Sequence, residues 1–407
     1  MRMEKSQIMR MRRRKTETSQ FVKRQRFVEA CLIIISVAII ARLFSLQIVF
    51  YQKYVALADK TQYIKKTISV QRGTIYDRNG SVLAMDVPTK TLYMDTKNID
   101  DVSQTAKALS SILKIPARDI EIKLTQQRYP LIKRKLSIAE YSAIEKEKIK
   151  GVVFEDDYQR IYPKGHLASH VIGFVNIDGV GLEGVELSYN DVLSGETGIV
   201  EILRDGRGRY LSSLGKIISK PSKGKDIYLT IDEHVQEIVE EEIERCWELT
   251  RPKKISVIVM CPKTGEILAM ANKPYYDPNE PGKYPVEYRK NHCITDMFEP
   301  GSIFKIITAA SAIEEKKVRP DDIFNCERGK WYIRGHILHD SHPYNSLNFE
   351  DVIIKSSNIG TVKIAMRIGE NTLYNYIKKF HFGEPTGIDL LGEIRGIVRP
   401  VDKWSDY

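Results

Sequence analysis

Cysteine is scarce in this chain, with five in 407 residues, and no spacing among them matches a zinc site or a disulfide framework. Cys31, Cys246, Cys261, Cys293 and Cys326 are therefore read as free thiols. There is no internal repeat and no low-complexity tract, which sets aside solenoids and disordered linker arrays. Histidine is sparse too, yet His336, His339 and His342 fall three apart. Gly335, Asp340-Ser341 and Pro343 interrupt any continuous helix there, and no acidic triad accompanies them. A polar loop is expected rather than a metal centre, and no cofactor is called for. Long apolar runs are missing as well, apart from one near the N-terminus.

The formal net charge of +10 would suit a nucleic-acid partner, but its placement argues otherwise. Residues 1–26 hold ten Lys/Arg against Glu4 and Glu17, a net +8, which leaves +2 for residues 27–407. Residues 27–50 follow as an apolar segment, and at about 1.5 Å per residue a helix of that length crosses a hydrocarbon core of roughly 30 Å. Positive charge ahead of the segment places the N-terminus in the cytoplasm and the remainder outside. A cleaved signal peptide is the rival reading, since the uncharged core at 30–41 is short. The one small-x-small site, Ala56-Leu57-Ala58, lies well beyond that core, so an uncleaved anchor is expected. Arg42 is costly in a bilayer and either snorkels or faces a membrane partner.

The chemistry centres on Glu299-Pro300-Gly301-Ser302-Ile303-Phe304-Lys305. A Ser and a Lys three apart share a helix face, so the amine can reach the hydroxyl. Burial lowers a lysine pKa and lets it act as a base for a serine nucleophile. The apolar run around Ile303, Ile306, Ile307 and Ile313 predicts a buried helix. Ser-x-x-Lys also occurs at Ser111, Ser213 and Ser222, without that context. Downstream, Ser356-Ser357-Asn358 lies inside an apolar helical pattern, where polar groups need partners. Ser-x-x-Lys followed by Ser-x-Asn resembles the penicillin-binding proteins. Lys263-Thr264-Gly265 precedes the serine between two apolar runs and reads as the turn of a β-hairpin, not as the third motif of that family.

Further motifs sharpen the resemblance. Arg72, Gly73, Asp77, Arg78 and Gly80 fall in two short strands around an Asn-Gly turn. Arg160 and Pro163 follow, then Gly181, Gly184 and Glu186. As a set they look like the pedestal of class B penicillin-binding proteins, where the resemblance gives them a structural role. Residues 100–150 carry Lys, Glu, Ile and Leu at helical spacing, with Lys133-Arg134-Lys135 read as a solvated face. Residues 215–226 have linker composition, and Asp232 caps a helix running to about Leu249.

The resemblance implies a single N-terminal transmembrane helix, a mixed α+β pedestal and an α/β transpeptidase domain, an antiparallel sheet with helices on both faces. The expected division is a basic cytoplasmic tail (1–26), a signal-anchor (27–50), a pedestal or dimerisation domain (51–225) and the transpeptidase domain (226–407). Phe298-Glu299-Pro300-Gly301 looks more like the division or sporulation branch than the elongation branch. The implied reaction is D,D-transpeptidation of peptidoglycan stem peptides ending in D-Ala-D-Ala, with β-lactams as inhibitors. The resemblance makes Ser302 the nucleophile, Lys305 its base, Ser356 a proton relay and Asn358 a substrate ligand. It also implies a SEDS-type glycosyltransferase and other division proteins as partners. Nothing after Asn358 reads Lys-Thr-Gly or Lys-Ser-Gly, so the expected domain is incomplete, truncated before its third motif, and unable to transpeptidate by itself. A non-catalytic membrane scaffold and a β-lactam sensor or β-lactamase-like protein remain the alternatives.

Overall fold

The structure is a computed structural model that describes residues 26–55, 63–204 and 210–404. The basic tail up to residue 25 and the site at 56–58 lie outside the described residues. Arg26–Val49 is the one helix among them long and apolar enough to cross a membrane, and none of its most apolar stretch is buried. Its last turn, Ser45–Val49, is a π-turn beginning three residues after Arg42. By contacts the chain divides into two units, Met1–Ser69 with Glu196–Ser222, and Val70–Gly195 with Lys223–Tyr407.

The first unit holds a three-stranded antiparallel sheet, with Gly198–Arg204 between Tyr63–Ile68 and Tyr210–Ser219. The linker expected at 215–226 is therefore part strand. Val200 pairs with Ile217, both β-branched and suited to a strand, and Ile199 pairs with Ser219. Lys223 onward belongs to the second unit, where Gly224 passes so close to the backbone that a Cβ would lie 1.7 Å from the Leu193 carbonyl oxygen.

The second unit begins with the predicted hairpin, Ile75–Tyr76 and Val82–Met94. Asp77 Oδ1 accepts the amides of Asn79 (2.8 Å) and Ser81 (2.7 Å), and Gly80 closes the turn at φ +90°. Val82–Met94 runs on for 13 residues and becomes the central strand, pairing antiparallel with Val152–Ile161 and Leu131–Leu136. Helices Val102–Leu113, Ala117–Gln126 and Ile138–Glu147 pack with this sheet, where Leu92, Leu109, Ile120 and Ile144 share one core. The helices were legible at 100–150, but the strand Leu131–Leu136 between them was not. On that strand Lys133, Arg134 and Lys135 are half-buried, which corrects the expected solvated face. Lys133 donates to Glu140 at 2.6 Å, Arg134 to Asp178 at 2.5 Å, and burial holds the Lys135 ammonium below its usual pKa.

Beneath the sheet, Glu186 is fully buried between two arginines. Arg72 Nε donates to Oε2 at 2.6 Å and Arg160 Nε to Oε1 at 2.7 Å. Asp86 adds a second carboxylate, accepting the Arg72 amide (2.8 Å) and Arg160 Nη1 (3.3 Å). Arg160 Nη1 also donates to the Gly73 carbonyl at 2.8 Å. Gly181 must be glycine because a Cβ would lie 1.8 Å from the Glu186 carbonyl oxygen, and Gly184 turns the chain at φ +59°. Pro163 is exposed, opening the turn that follows Tyr162.

This base is joined directly to the remainder of the unit. Asp77 Oδ2 accepts the Glu233 amide at 3.2 Å, the Arg78 amide donates to the Ile231 carbonyl, and the Arg78 guanidinium lies 3.6 Å from Glu266. Asp232 caps the helix Glu233–Thr250, as its sequence predicts, accepting from the amides of His234 and Val235. That helix lies on the hairpin Ile255–Met260 and Ile267–Lys273, pinned by the buried Gln236, which donates to Met270 O (3.1 Å) and accepts from Met270 N (2.8 Å). Lys263-Thr264-Gly265 forms the hairpin turn, with the Gly265 amide donating to Cys261 O.

Two stability predictions follow from buried charge. Glu186→Ala strands Arg72 and Arg160 and is expected to destabilise the fold by about 3–5 kcal/mol, read as a lowered denaturant midpoint. A loss below about 1 kcal/mol would mean the arginines find other partners. His170 is buried, donating from Nε2 to Tyr288 O at 2.8 Å, and desolvation pushes its pKa down to about 4 from 6.5. The unfolded chain then binds the extra proton between pH 6.5 and 4, so stability is full above 6.5 and declines toward 4. The loss should approach roughly 3 kcal/mol and be absent from His170→Gln, checked by urea titrations across that range.

Candidate functional site

Ser302 sits on a 3₁₀ turn, Gly301–Phe304, which runs straight into the α-helix Lys305–Glu314. Gly301 enters the turn at φ +60°, a conformation that suits glycine. The turn repeats every three residues, so Ser302 and Lys305 stay on one side. The amides of a first turn have no intrahelical acceptor, and the Ser302 N–H is among them. The helix is not buried all round, as its composition predicts. Ile307 packs with Tyr376 and Ile377, and Phe304 meets Phe382 edge-on at 5.4 Å. Ile303 and Ile306 are more than half exposed, together with Met297 and Phe298 on the approach to the serine.

The Ser-x-Asn segment also differs from the continuous helix its periodicity predicts. Phe349–Ile354 ends, the chain breaks, and Asn358–Ile368 begins. At the break Ser356 adopts φ +52°, a left-handed conformation uncommon for a residue with a Cβ. Ser357 caps the second helix, its Oγ accepting the Gly360 amide at 2.9 Å. Gly360 lets the two helices touch, since a Cβ there would lie 2.6 Å from a Val352 methyl.

The structure brings Lys305, Ser356 and Asn358 together. Lys305 Nζ donates to Ser356 Oγ (2.9 Å), Asn358 Oδ1 (2.7 Å) and the Ser356 carbonyl (2.6 Å). Those bonds occupy all three ammonium protons. Desolvation pulls the Lys305 pKa below its ordinary value, opposed by the negative charge of Asp340. Ser302 is exposed and, among the described hydrogen bonds, shares none with Lys305. The arrangement therefore holds an amine of reduced basicity beside one hydroxyl, Ser356, with a second hydroxyl, Ser302, open to solvent on the same helical face.

Sequence reasoning missed the groups that hold this turn in place. Asp340 accepts from Ser357 Oγ (2.7 Å) and from the Ile359 amide (3.0 Å), and the His339 carbonyl accepts from Asn358 Nδ2 (2.8 Å). His339 ends the hairpin Lys330–Ile333 and His336–His339, and Asp340 follows it, so the segment expected as a polar loop is part strand. The signal was the Asp within the histidine run, which periodicity alone could not connect to a turn 17 residues away.

The penicillin-binding protein dimerisation domain matches residues 67–229, and the penicillin-binding protein transpeptidase domain matches residues 255–407. The chain is 36% identical over 93% of its length to the probable peptidoglycan D,D-transpeptidase PenA of Neisseria meningitidis, covering 66% of that protein. It is 30% identical to the peptidoglycan D,D-transpeptidase FtsI of Escherichia coli, covering 97% of this chain and 68% of the relative. Stage V sporulation protein D of Bacillus subtilis is 33% identical, covering 94% and 60%. The chain thus spans about two thirds of the length of these relatives or less. Among solved structures, penicillin-binding protein 2X of Streptococcus thermophilus superposes with a TM-score of 0.66 at 26% identity, over 83% of this chain and 55% of the other. With both domains matched in order and relatives of this kind along nearly its whole length, the chain belongs to the class B penicillin-binding proteins of the FtsI-like type.

Proposed function

We propose that this chain supplies the membrane anchor, the pedestal and the acylation residues of a peptidoglycan D,D-transpeptidase. The observation that carries the reading is the Lys305 amine held by Ser356 and Asn358 beside the Ser302 turn. Lys305, once neutral, takes the proton of Ser302 Oγ as that oxygen attacks the carbonyl of the penultimate D-alanine. The Ser302 amide donates to the oxyanion that forms. The proton passes from Lys305 by way of Ser356 Oγ to the nitrogen of the terminal D-alanine, the C–N bond breaks, and an ester to Ser302 remains. An amine of a second stem peptide then attacks the ester, yields its proton along the same route, and leaves Ser302 protonated. Asn358 holds Lys305 and presents its amide toward the substrate backbone. A β-lactam enters by the same attack, but its amine stays tethered to the acyl group and the ester persists.

A fluorescent penicillin tests this reading on the chain extended through a segment bearing the family's Lys-Thr/Ser-Gly strand. The expected result is one label per chain, mapped to Ser302 and lost in Ser302→Ala. Lys305→Ala should slow labelling by about 10²–10⁴-fold. A label that survives Ser302→Ala, or no label at all in the extended chain, would contradict the proposal.

We further place the N-terminus in the cytoplasm and the pedestal and transpeptidase domains outside, because the net +8 of residues 1–26 precedes the apolar helix. Arg42, on the exposed surface of that helix, is assigned to a contact with a membrane glycosyltransferase of the SEDS type, which would satisfy its donors. Reporter fusions after residue 60 should signal outside the cytoplasm, and a photocrosslinker near position 42 should capture a polytopic protein. Cytoplasmic signal, or crosslinks to lipid alone, would refute the respective assignment.

A further inference from the structure

Ser356 stands in a left-handed conformation that a serine does not adopt without support, and the support is visible. Its own backbone carbonyl and hydroxyl face Lys305. The next residue, Ser357, is buried and turns its hydroxyl hydrogen to Asp340 Oδ2 at 2.7 Å while accepting the Gly360 amide. Two residues further, the Ile359 amide donates to Asp340 Oδ1 at 3.0 Å. One carboxylate thus grips the chain on both sides of Asn358, at Ser357 and Ile359, and the neighbouring His339 carbonyl grips Asn358 itself.

We propose that Asp340 is a positioning residue of the transpeptidase site: its two oxygens, bound to Ser357 Oγ and the Ile359 amide, clamp the Ser356–Asn358 turn to the hairpin Lys330–His339 so that Ser356 and Asn358 both meet Lys305. The inference rests on the acyl-transfer reading and extends it to a group outside the three sequence motifs. The same carboxylate acts on Lys305 through space, favouring its charged form against the desolvation that disfavours it. Other charges on the elements packed around Lys305 are paired with one another or exposed to water. Lys355 faces Asp351, Lys363 faces Glu327, Arg367 faces Asp322, and Lys378 faces Glu384. Glu299, Glu314, Glu315, His339, Glu350, Glu370 and Lys379 are exposed to water. Asp340 is therefore both the mechanical clamp of the turn and the anion that opposes desolvation at Lys305.

Two variants separate the roles. Asp340→Asn keeps an acceptor for the turn and removes the charge, whereas Asp340→Ala removes both. In the full chain in detergent, isotope-labelled lysine NMR follows the titration of Lys305, identified by its loss in Lys305→Arg. Asp340→Asn is expected to move that titration to lower pH by about half a unit or more. Asp340→Ala should in addition raise hydrogen exchange at the Ile359 and Gly360 amides at least about tenfold. An unmoved Lys305 titration in Asp340→Asn, or unchanged exchange in Asp340→Ala, would overturn the inference. Neither readout involves acylation, so a protein that does not react with penicillin would sink the transpeptidase reading without deciding this one.

Discussion

The fold of the larger unit depends on one buried carboxylate. Glu186 joins Arg72, 114 residues earlier, to Arg160, 26 residues earlier, at a point no water reaches. A buried ion pair gives little net stability over an apolar substitute, but it tolerates only one arrangement of its partners. Here that arrangement sets the entry of the hairpin at Ile75, the end of the strand Val152–Ile161 and the glycine-lined turn before Glu186. Asp77 and Arg78 carry the same constraint into the helix Glu233–Thr250 and the hairpin beneath it. The larger unit is consequently held by charge and hydrogen bonds around Glu186, by apolar packing beside them at Ile75, Leu83 and Val185, and by a second core in which Leu92, Leu109, Ile120 and Ile144 exclude water.

The turn around Lys305 uses a smaller version of the same principle. Three oxygens from one turn satisfy the Lys305 ammonium, and the helix wall behind it reduces its hydration. An amine that is comfortable when charged makes a poor base, and one stripped of every acceptor has no fixed place. Partial desolvation with three acceptors, balanced by the nearby Asp340, lies between those limits. Serine, lysine and asparagine can be supplied by many helices, but this balance requires the break between Ile354 and Asn358.

Much of this was legible in the residues because local chemistry decided it. Asp232 as a helix cap, Pro262 to Gly265 as a hairpin turn and Asn79-Gly80 as a tight turn each need only their neighbours. Ser302, Lys305, Ser356 and Asn358 could be singled out because polar groups stood inside apolar patterns. What stayed hidden was set at long range. The strand Leu131–Leu136 carries three basic residues, and only pairing with Val82–Met94 makes it a strand. The extended chain at 215–219 looks like a tether until Gly198–Arg204 is beside it. The interruption at Ser356 is invisible to a 3.6-residue period, because the apolar positions on either side keep step while the backbone does not.

Ser356 also sets conformational ease against chemistry. At φ +52° glycine would be the unstrained choice, and a residue with a Cβ gives up roughly 1–2 kcal/mol there. Glycine, however, has no hydroxyl to meet Lys305. Stability at this position thus slopes toward glycine and toward a turn without the hydroxyl that bonds Lys305. Screens that rank variants of this chain by thermal stability alone would drift down that slope and report the loss as an improvement.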